Sequence, residues 1–271
     1  MSSPNTISPD KLNRLIGLPH CPRLVDVRLD DDFAAEPVLI PGSVRRSWQN
    51  VEAWSQAVGK DAVVICHRGA KISHGVAAWL RHHGVEAAVL EGGMEAWRAA
   101  GYPAVRCDRL PARDAFGRTV WVTRSRPKID RIACPWLVRR FIDPEAVFLF
   151  VAPAEVRAVG ERFAATPFDI DDTFWSHRGE NCTFDTMVEE FGLTFEPMLR
   201  LAGIVRAADT ARLETVKEAA GLVALSLGLS RMFANDLEQL DAGMVIYDAL
   251  YRWCRDATDE THNWPAGKAR A

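Results

Sequence analysis

Apolar positions in the first hundred residues alternate between short continuous runs and helical spacing. The continuous runs predict strands over 23–28, 62–65 and 87–90, and the helical patterns predict helices over 11–17, 48–58, 73–83 and 94–100. Short apolar strands separated by helices are typical of an α/β fold in which helices flank a parallel sheet on both faces. Ligands of such folds bind beyond the carboxyl ends of the strands.

A polar, turn-rich stretch over 107–117 separates this pattern from a different one, and we expect it to link two domains. Two strand-like runs follow, over 119–123 and 146–151, and helical patterns then cover 184–191, 196–208, 215–227 and 235–254. A helical spacing of apolar side chains also predicts a buried stripe of Leu222, Leu225, Leu229 and Met232. We therefore predict an α/β domain over 6–106 and an α+β, helix-rich domain over 118–262.

Composition and charge are those of an ordinary globular protein. Hydrophobic residues make up 48% of the chain and charged residues 25%, and the formal net charge of -3 gives no support for nucleic-acid binding. The start, Met1 to Asn5, lacks the basic and apolar stretches of a secretory signal, and no apolar run has the length that spans a membrane. The six cysteines are scattered, so we expect reduced thiols and a cytoplasmic location.

Cys66 is the candidate nucleophile, because it ends the apolar run 62–65 and opens a basic loop that contains glycine. The loop reads Cys66-His67-Arg68-Gly69-Ala70-Lys71. A cysteine attacks as a thiolate, which a helix N-terminus and nearby cations stabilise. Helix starts usually favour acidic residues, so basic residues at this one indicate an anion site. Most cysteines at strand ends are inert core residues, and the loop is what favours reactivity here.

Residues 6–106 resemble a single-domain rhodanese. The resemblance is carried by the segments Leu24-Val25-Asp26-Val27-Arg28, Ile40-Pro41-Gly42-Ser43, Cys66 to Lys71, and Leu90-Glu91-Gly92-Gly93-Met94-Glu95-Ala96-Trp97. It implies a thiosulfate-type sulfurtransferase, in which Cys66 takes sulfane sulfur from a small-molecule donor as a persulfide and passes it to a thiol. No cofactor is required for that transfer. Lys71 stands where the family usually has arginine, which keeps the charge but loses the bidentate fork.

A cysteine phosphatase is the sharpest alternative on this fold. Such an enzyme needs an arginine six residues after the nucleophile, where this chain has Ile72, and a longer loop for the larger anion. The loop therefore favours sulfur over phosphate. The same missing arginine disfavours an arsenate reductase.

Residues 118–256 resemble the chromate-resistance protein B family. The resemblance is carried by the segments 126–137, 166–170, 176–185 and 208–211. It implies an association with chromate resistance, through sensing or regulation. Longer members carry a DNA-binding region at their N-terminus, where this chain has its rhodanese-like half, so a role as a transcription factor is not expected. The alternative to the enzyme is a chromate- or redox-responsive regulatory protein whose second domain binds a metal or an oxyanion.

Four side chains of metal-ligand type fall close together in the second half: His177, Glu180, Cys182 and Asp185. Imidazole, thiolate and carboxylate can together hold zinc or another divalent metal, and further ligands could come from Asp130, Cys134 and Asp209. No CxxC or HxxxH spacing is present, so purely structural roles are the alternative. An oxyanion such as chromate could instead be bound by Arg126, Lys128 and Arg131. The sequence gives no oligomeric state.

Overall fold

The computed structural model describes residues 5–260 of the chain. Residues 1–4, on which the expectation of no secretory signal largely rests, lie outside this range, as do residues 261–262 at the end of the predicted second domain. Within it, a strand-rich first half precedes a helix-rich second half. Among the described residues, no helix is both long and apolar enough to cross a membrane.

The first half contains a five-stranded parallel sheet in the order β1-β6-β5-β2-β4, which confirms the predicted α/β class. Its strands are β1 (Thr6–Ile7), β2 (Arg23–Asp26), β4 (Ser43–Arg45), β5 (Asp61–Ile65) and β6 (Glu86–Leu90). A separate antiparallel pair consists of β3 (Val38–Leu39) and β7 (Val105–Arg106). The helices are α1 (Pro9–Leu15), α2 (Asp30–Ala35), α3 (Val51–Trp54), α4 (Lys71–His82) and α5 (Gly93–Ala99).

Both faces of this sheet are buried, because consecutive residues of its strands are apolar and point to opposite sides. Leu24 lies in one core together with Leu12 of α1 and Trp97 of α5. Its neighbour Val25 lies in a second core together with Leu80 of α4. The ends of the strands are therefore the part of the sheet that a ligand can reach.

The second half combines a three-stranded parallel sheet, in the order β10-β8-β9, with six helices among its described residues. The strands are β8 (Val120–Arg124), β9 (Val147–Val151) and β10 (Thr166–Pro167). The helices are α6 (Asp130–Leu137), α7 (Val156–Phe163), α8 (Thr183–Glu190), α9 (Glu196–Asp209), α10 (Ala219–Met232) and α11 (Asp236–Asp256). The helix-rich character was predicted, whereas α7 and α6, which contains Pro135, were not.

One apolar core, which we call the shared core, contains residues of both halves. It includes Leu12 and Trp97 from the first half and Trp136, Phe141 and Tyr251 from the second. The five side chains are almost entirely buried. The two halves are therefore packed into each other.

The predicted linker 107–117 is attached to both halves. The N–H of Cys107 donates to the carbonyl of Pro37 at 3.2 Å, in the first half. The guanidinium of Arg113 pairs with the carboxylate of Asp143 at 3.1 Å, in the second. The segment consequently runs along the junction between the halves and is held there by polar contacts.

The predicted buried stripe on α10 is wrong. Leu222 is buried, but Leu225 is 53% exposed and Met232 is 72% exposed. The helix instead turns Ser226 and Ser230 inward. Their hydroxyl groups hold the segment that precedes α6, because Ser226 Oγ accepts from the N–H of residue 129 and Ser230 Oγ accepts from the guanidinium of residue 126.

Candidate functional site

Cys66 lies directly after β5, the middle strand of the five-stranded sheet, and before α4. Its side chain is 5% exposed. The Sγ atom accepts a hydrogen bond from the N–H of Ala70 at 3.3 Å and lies 3.1 Å from the Oγ of Ser73. No side chain caps the N-terminus of α4, whose N-cap is Ala70. An uncapped helix start therefore faces the thiol, as an anion-binding loop requires.

Close backbone packing fixes the shape of the loop 66–71. The N–H groups of Met94 and Glu95, in the first turn of α5, donate to the carbonyls of Cys66 and His67 at 3.0 Å each. Gly69 has a φ of +63°, and a Cβ there would lie 2.4 Å from the carbonyl oxygen of Leu90. Only glycine fits this position, so the loop and the start of α5 form one rigid unit.

The predicted anion-binding residues lie around an open depression of about 510 Å³ beside Cys66. Its lining consists of Leu29, Asp32, Cys66, His67, Arg68, Ala70, Lys71 and Ile72. Glu95 contacts both basic side chains next to the cysteine, since its Oε1 lies 3.1 Å from His67 Nε2 and 3.2 Å from Arg68 Nε. The sequence did not predict that Glu95 or Ser73 would contact the site. Glu95 was visible only as part of the segment 90–97.

A second group of polar side chains, which we call the Asp130 cluster, lies in the second half and consists of Asp130, Asp169, His177 and Asp209. The Nε2 atom of His177 lies 3.5 Å from Asp130 Oδ2, 3.5 Å from Asp169 Oδ1 and 3.2 Å from Asp209 Oδ2. Asp130 opens α6 and Asp209 ends α9, while His177 and Asp169 lie in the connections before α8. Distant parts of the sequence thus supply one site.

Burial and mutual repulsion set the charges in the Asp130 cluster. Burial raises the pKa of Asp130 well above its usual range, and the charges of Asp209 and Asp169 add to this. Burial also raises the pKa of Asp209. Burial opposes ionisation of Asp169, but hydrogen bonds from His177 and Thr183 bring the pKa of that carboxyl below its usual value. The hydrogen bond to Asp169 raises the pKa of His177 to about 9, so this imidazole is a cation at neutral pH.

The structure brings only His177, of the four predicted metal ligands, into this cluster. Glu180 pairs with Arg212 at 2.9 Å on the surface. The backbone N–H of Cys182 donates to Asp185 Oδ2 at 3.0 Å, which caps α8. Asp185 also pairs with a guanidinium at 2.9 Å. Within residues 5–260, the only group of three ligand-type side chains with the spacing for a metal is Asp130, His177 and Asp209.

Two of the three side chains predicted to bind an oxyanion, Arg126 and Arg131, are engaged by other groups of the chain. The guanidinium of Arg126 donates to the carbonyl of Phe233 at 2.9 Å and to Ser230 Oγ at 3.1 Å. The guanidinium of Arg131 donates to the carbonyl of Ser125 at 2.9 Å, and its Nε lies 3.2 Å from Asp169 Oδ2. These groups order the backbone around the Asp130 cluster.

Two family models match the chain. Residues 8–100 match the rhodanese-like domain, and residues 121–254 match the C-terminal domain of ChrB. Among curated proteins, Protein ChrB from Cupriavidus metallidurans is 34% identical over 154 residues, which are 56% of this chain and 46% of that protein. An uncharacterized protein from Synechocystis is 36% identical over 89 residues, which are 32% of this chain and 49% of that protein. The chain thus spans about half the length of these relatives.

Solved structures with detectable similarity include a thiosulfate sulfurtransferase from Pseudomonas aeruginosa. It is 25% identical with a TM-score of 0.35, and the similarity covers 39% of this chain and 20% of that one. A rhodanese-related protein from Thermoplasma volcanium is 23% identical with a TM-score of 0.33, and the similarity covers 37% of this chain and 97% of that one. By its family matches, the chain joins a member of the rhodanese-like domain family to a member of the ChrB C-terminal domain family.

Proposed function

We propose that the protein is a sulfurtransferase that carries sulfane sulfur as a persulfide on Cys66. The observation that carries the proposal is the position of the Cys66 Sγ at an uncapped helix start, where it accepts the Ala70 N–H and borders an open depression. A persulfide places a negative charge on its outer sulfur, and N–H donors at a helix start stabilise such a charge. The match of residues 8–100 to the rhodanese-like domain supports the same chemistry.

The transfer proceeds in two displacements at sulfur. The Cys66 thiolate attacks the outer sulfur of thiosulfate, a new S–S bond forms, and the S–S bond of the donor breaks as sulfite leaves with the electron pair. An acceptor thiolate or cyanide then attacks the outer sulfur of the persulfide, and Cys66 leaves as a thiolate. The exposed Lys71 and Arg68 at the rim of the depression attract the anionic donor. No cofactor takes part in either step.

Intact-mass measurement after thiosulfate treatment tests this proposal. The native protein should gain one sulfur atom, lose it on addition of cyanide, and release thiocyanate over many turnovers. The variant Cys66→Ser should gain nothing. The matched variant Cys107→Ser, which removes a half-buried cysteine of the segment between the halves, should behave like the native protein. A folded native protein that neither gains sulfur nor forms thiocyanate would overturn the proposal.

The second candidate is a redox-responsive regulatory protein linked to chromate resistance. The match of residues 121–254 to the ChrB C-terminal domain favours it, and so does the packing of α5, which holds the Cys66 loop and places Trp97 in the shared core. In that role Cys66 would be oxidised once per molecule without turnover. Thiocyanate formation far above one equivalent of protein separates the enzyme from the sensor. For either role we propose a cytoplasmic protein that acts on small molecules and not on nucleic acid.

A further inference from the structure

Three side chains of the Asp130 cluster have the spacing of ligands around one metal ion. The ligand atoms of Asp130, His177 and Asp209 all lie within 4.8 Å of one another, and His177 Nε2 is 3.2–3.5 Å from the two carboxylate oxygens. Ligands at about 2.0–2.2 Å from a central ion are separated from each other by roughly 3–3.5 Å. The side chains come from α6, α9 and the connection before α8, so the fold itself brings them together.

The hydrogen bonding of Asp130 gives a second, independent indication that a cation binds here. Its side chain is fully buried, and its Oδ2 accepts a hydrogen bond from the N–H of Thr183 at 2.6 Å. Its other oxygen, Oδ1, has no hydrogen-bond donor in the described part of the chain. A buried carboxylate oxygen without a donor is costly, and such groups in native proteins usually contact water or an ion. A cation coordinated through Oδ1 would remove that cost.

Neighbouring side chains fix Asp169 beside the proposed ligands, and groups around a metal's ligands commonly help to order the site. Asp169 accepts from Thr183 Oγ1 at 3.0 Å and pairs with two guanidinium groups at 3.2 Å each. Its Oδ1 lies 3.5 Å from His177 Nε2, which places a third carboxylate beside the ligand atoms. The backbone N–H of Asp130 donates to the carboxylate of Asp209.

The ligand types indicate the class of ion. Two carboxylates and one imidazole suit a divalent ion such as Mn²⁺ or Zn²⁺ better than Cu⁺, which prefers thiolates. The side chain of His177 is 42% exposed and that of Asp209 is 19% exposed, so one side of the site faces solvent. Three protein ligands with an open side are typical of catalytic or exchangeable metal sites, whereas structural zinc sites have four.

We propose that Asp130, His177 and Asp209 bind one divalent cation of the Mn²⁺ or Zn²⁺ class. The cluster holds three carboxyl groups around a single imidazole, and the nearby Arg131 is already paired with Asp169. This arrangement attracts a cation and repels an oxyanion. The site is separate from Cys66 and does not depend on sulfur transfer.

Metal titration of the full-length protein tests the proposal. The protein is treated with EDTA, freed of chelator, and titrated with MnCl₂, ZnCl₂ and MgCl₂ by calorimetry, with bound Mn²⁺ counted by electron paramagnetic resonance. We expect one equivalent of Mn²⁺ or Zn²⁺ to bind, with Mg²⁺ much weaker. Asp209→Asn and His177→Ala should each weaken binding at least about ten-fold, because even losses around the ligands cost roughly 10- to 100-fold.

Glu180→Gln is the matched control, because it removes a nearby carboxylate that the structure leaves outside the group and pairs with Arg212. It should bind metal like the native protein. Circular dichroism checks that each variant is folded, and the partly exposed positions 177 and 209 keep the test informative if Asp130→Asn does not fold. The proposal is overturned if the folded native protein binds neither ion at millimolar concentration. It is equally overturned if Asp209→Asn and His177→Ala bind as tightly as the native protein, or if Glu180→Gln loses binding.

Discussion

The Sγ atom of Cys66 lies 3.1 Å from the Oγ of Ser73, one turn into the helix that starts beside the thiol. The same Ser73 hydroxyl lies 3.0 Å from the carbonyl oxygen of Ala70, to which it can donate. It can therefore accept a hydrogen bond from the Cys66 thiol, or rotate and donate one to the thiolate. With the Ala70 N–H, this gives the sulfur anion two donors from one helix start.

Ser73→Ala should slow persulfide formation by about ten-fold or more, because a hydrogen bond to a charged group is worth about 1.5–3 kcal/mol. Single-turnover sulfur uptake from thiosulfate, followed by intact mass, measures this rate. Ser55→Ala is the matched control, since Ser55 is also buried in the first half and also donates to a carbonyl three residues back. Equal rates for the two variants would show that the Ser73 hydroxyl does not act on the sulfur.

Glu95→Gln should lower the KM for thiosulfate by a few-fold. Glu95 contacts both His67 and Arg68, and its neutralisation frees the Arg68 guanidinium beside the depression to attract the anionic donor. The effect should fade at high salt, because exposed charges are screened. Steady-state kinetics at low and high ionic strength measures it. The control Glu86→Gln removes an exposed carboxylate at the opposite end of β6 and should leave KM unchanged; a similar drop there would contradict the prediction.

Gly69→Ala should damage both the fold of the loop and persulfide formation. An added Cβ would lie 2.4 Å from the Leu90 carbonyl and 2.7 Å from the backbone nitrogen of Gly92. Gly84→Ala is the control, since its φ of +84° imposes similar strain but nothing lies within 4 Å of the new atom. We would compare the persulfide yield and the melting temperature of the two variants. The difference between them measures the effect of the close packing around Gly69, apart from that of backbone strain. If both variants retain the native yield of persulfide, the loop can accommodate the added Cβ and the prediction is wrong.

The sequence was sufficient to predict the Cys66 site because its parts are local. A buried strand, a cysteine, a glycine-containing loop and a helix follow one another over about twenty residues, so pattern and spacing alone predict their geometry. The Glu95 pairing was not predictable in this way, because Glu95 lies 27–28 residues from the side chains that it contacts, Arg68 and His67.

The second half was harder because its site is assembled from distant segments. His177 was predicted as a metal ligand and lies in the Asp130 cluster, but its neighbours in sequence, Glu180 and Asp185, pair with the partly exposed arginines Arg212 and Arg206. The leucines of α10 show the same limit of prediction from sequence. Apolar spacing predicted an inward face, yet the helix turns Ser226 and Ser230 inward, because the backbone before α6 needs their hydroxyl groups.

Cys66 should be the site of fastest alkylation in the native protein. Burial raises the pKa of Cys21 to about 12 and those of Cys107 and Cys254 to about 11, so these thiols stay protonated at pH 8. Burial also raises the pKa of Cys134 and of Cys182. Only thiolates react appreciably with iodoacetamide. Peptide mapping after a brief treatment at pH 8, native and urea-unfolded, measures each site; faster modification of Cys21 or Cys107 than of Cys66 would contradict this ranking.

Gly17→Ala should destabilise both halves together. Its Cβ would lie 2.5 Å from Phe141 and 2.6 Å from Tyr251, two aromatic rings of the shared core in the second half. Overpacking of a core costs about 1–3 kcal/mol, and each kcal/mol shifts the melting temperature by about 2–4 °C in chains near this size. Because the shared core spans both halves, calorimetry should show one transition that moves down by several degrees.

Gly59→Ala is the control for this prediction, because Gly59 has a φ of +89° against +79° for Gly17, yet nothing lies within 4 Å of its added Cβ. The difference between the two variants therefore measures the contact between the halves and not backbone strain. Two separate transitions in the native protein, with only one of them shifted by Gly17→Ala, would mean that the halves unfold independently. In that case packing across the shared core could not carry a change at Cys66 to the Asp130 cluster, and the regulatory alternative would lose its physical basis.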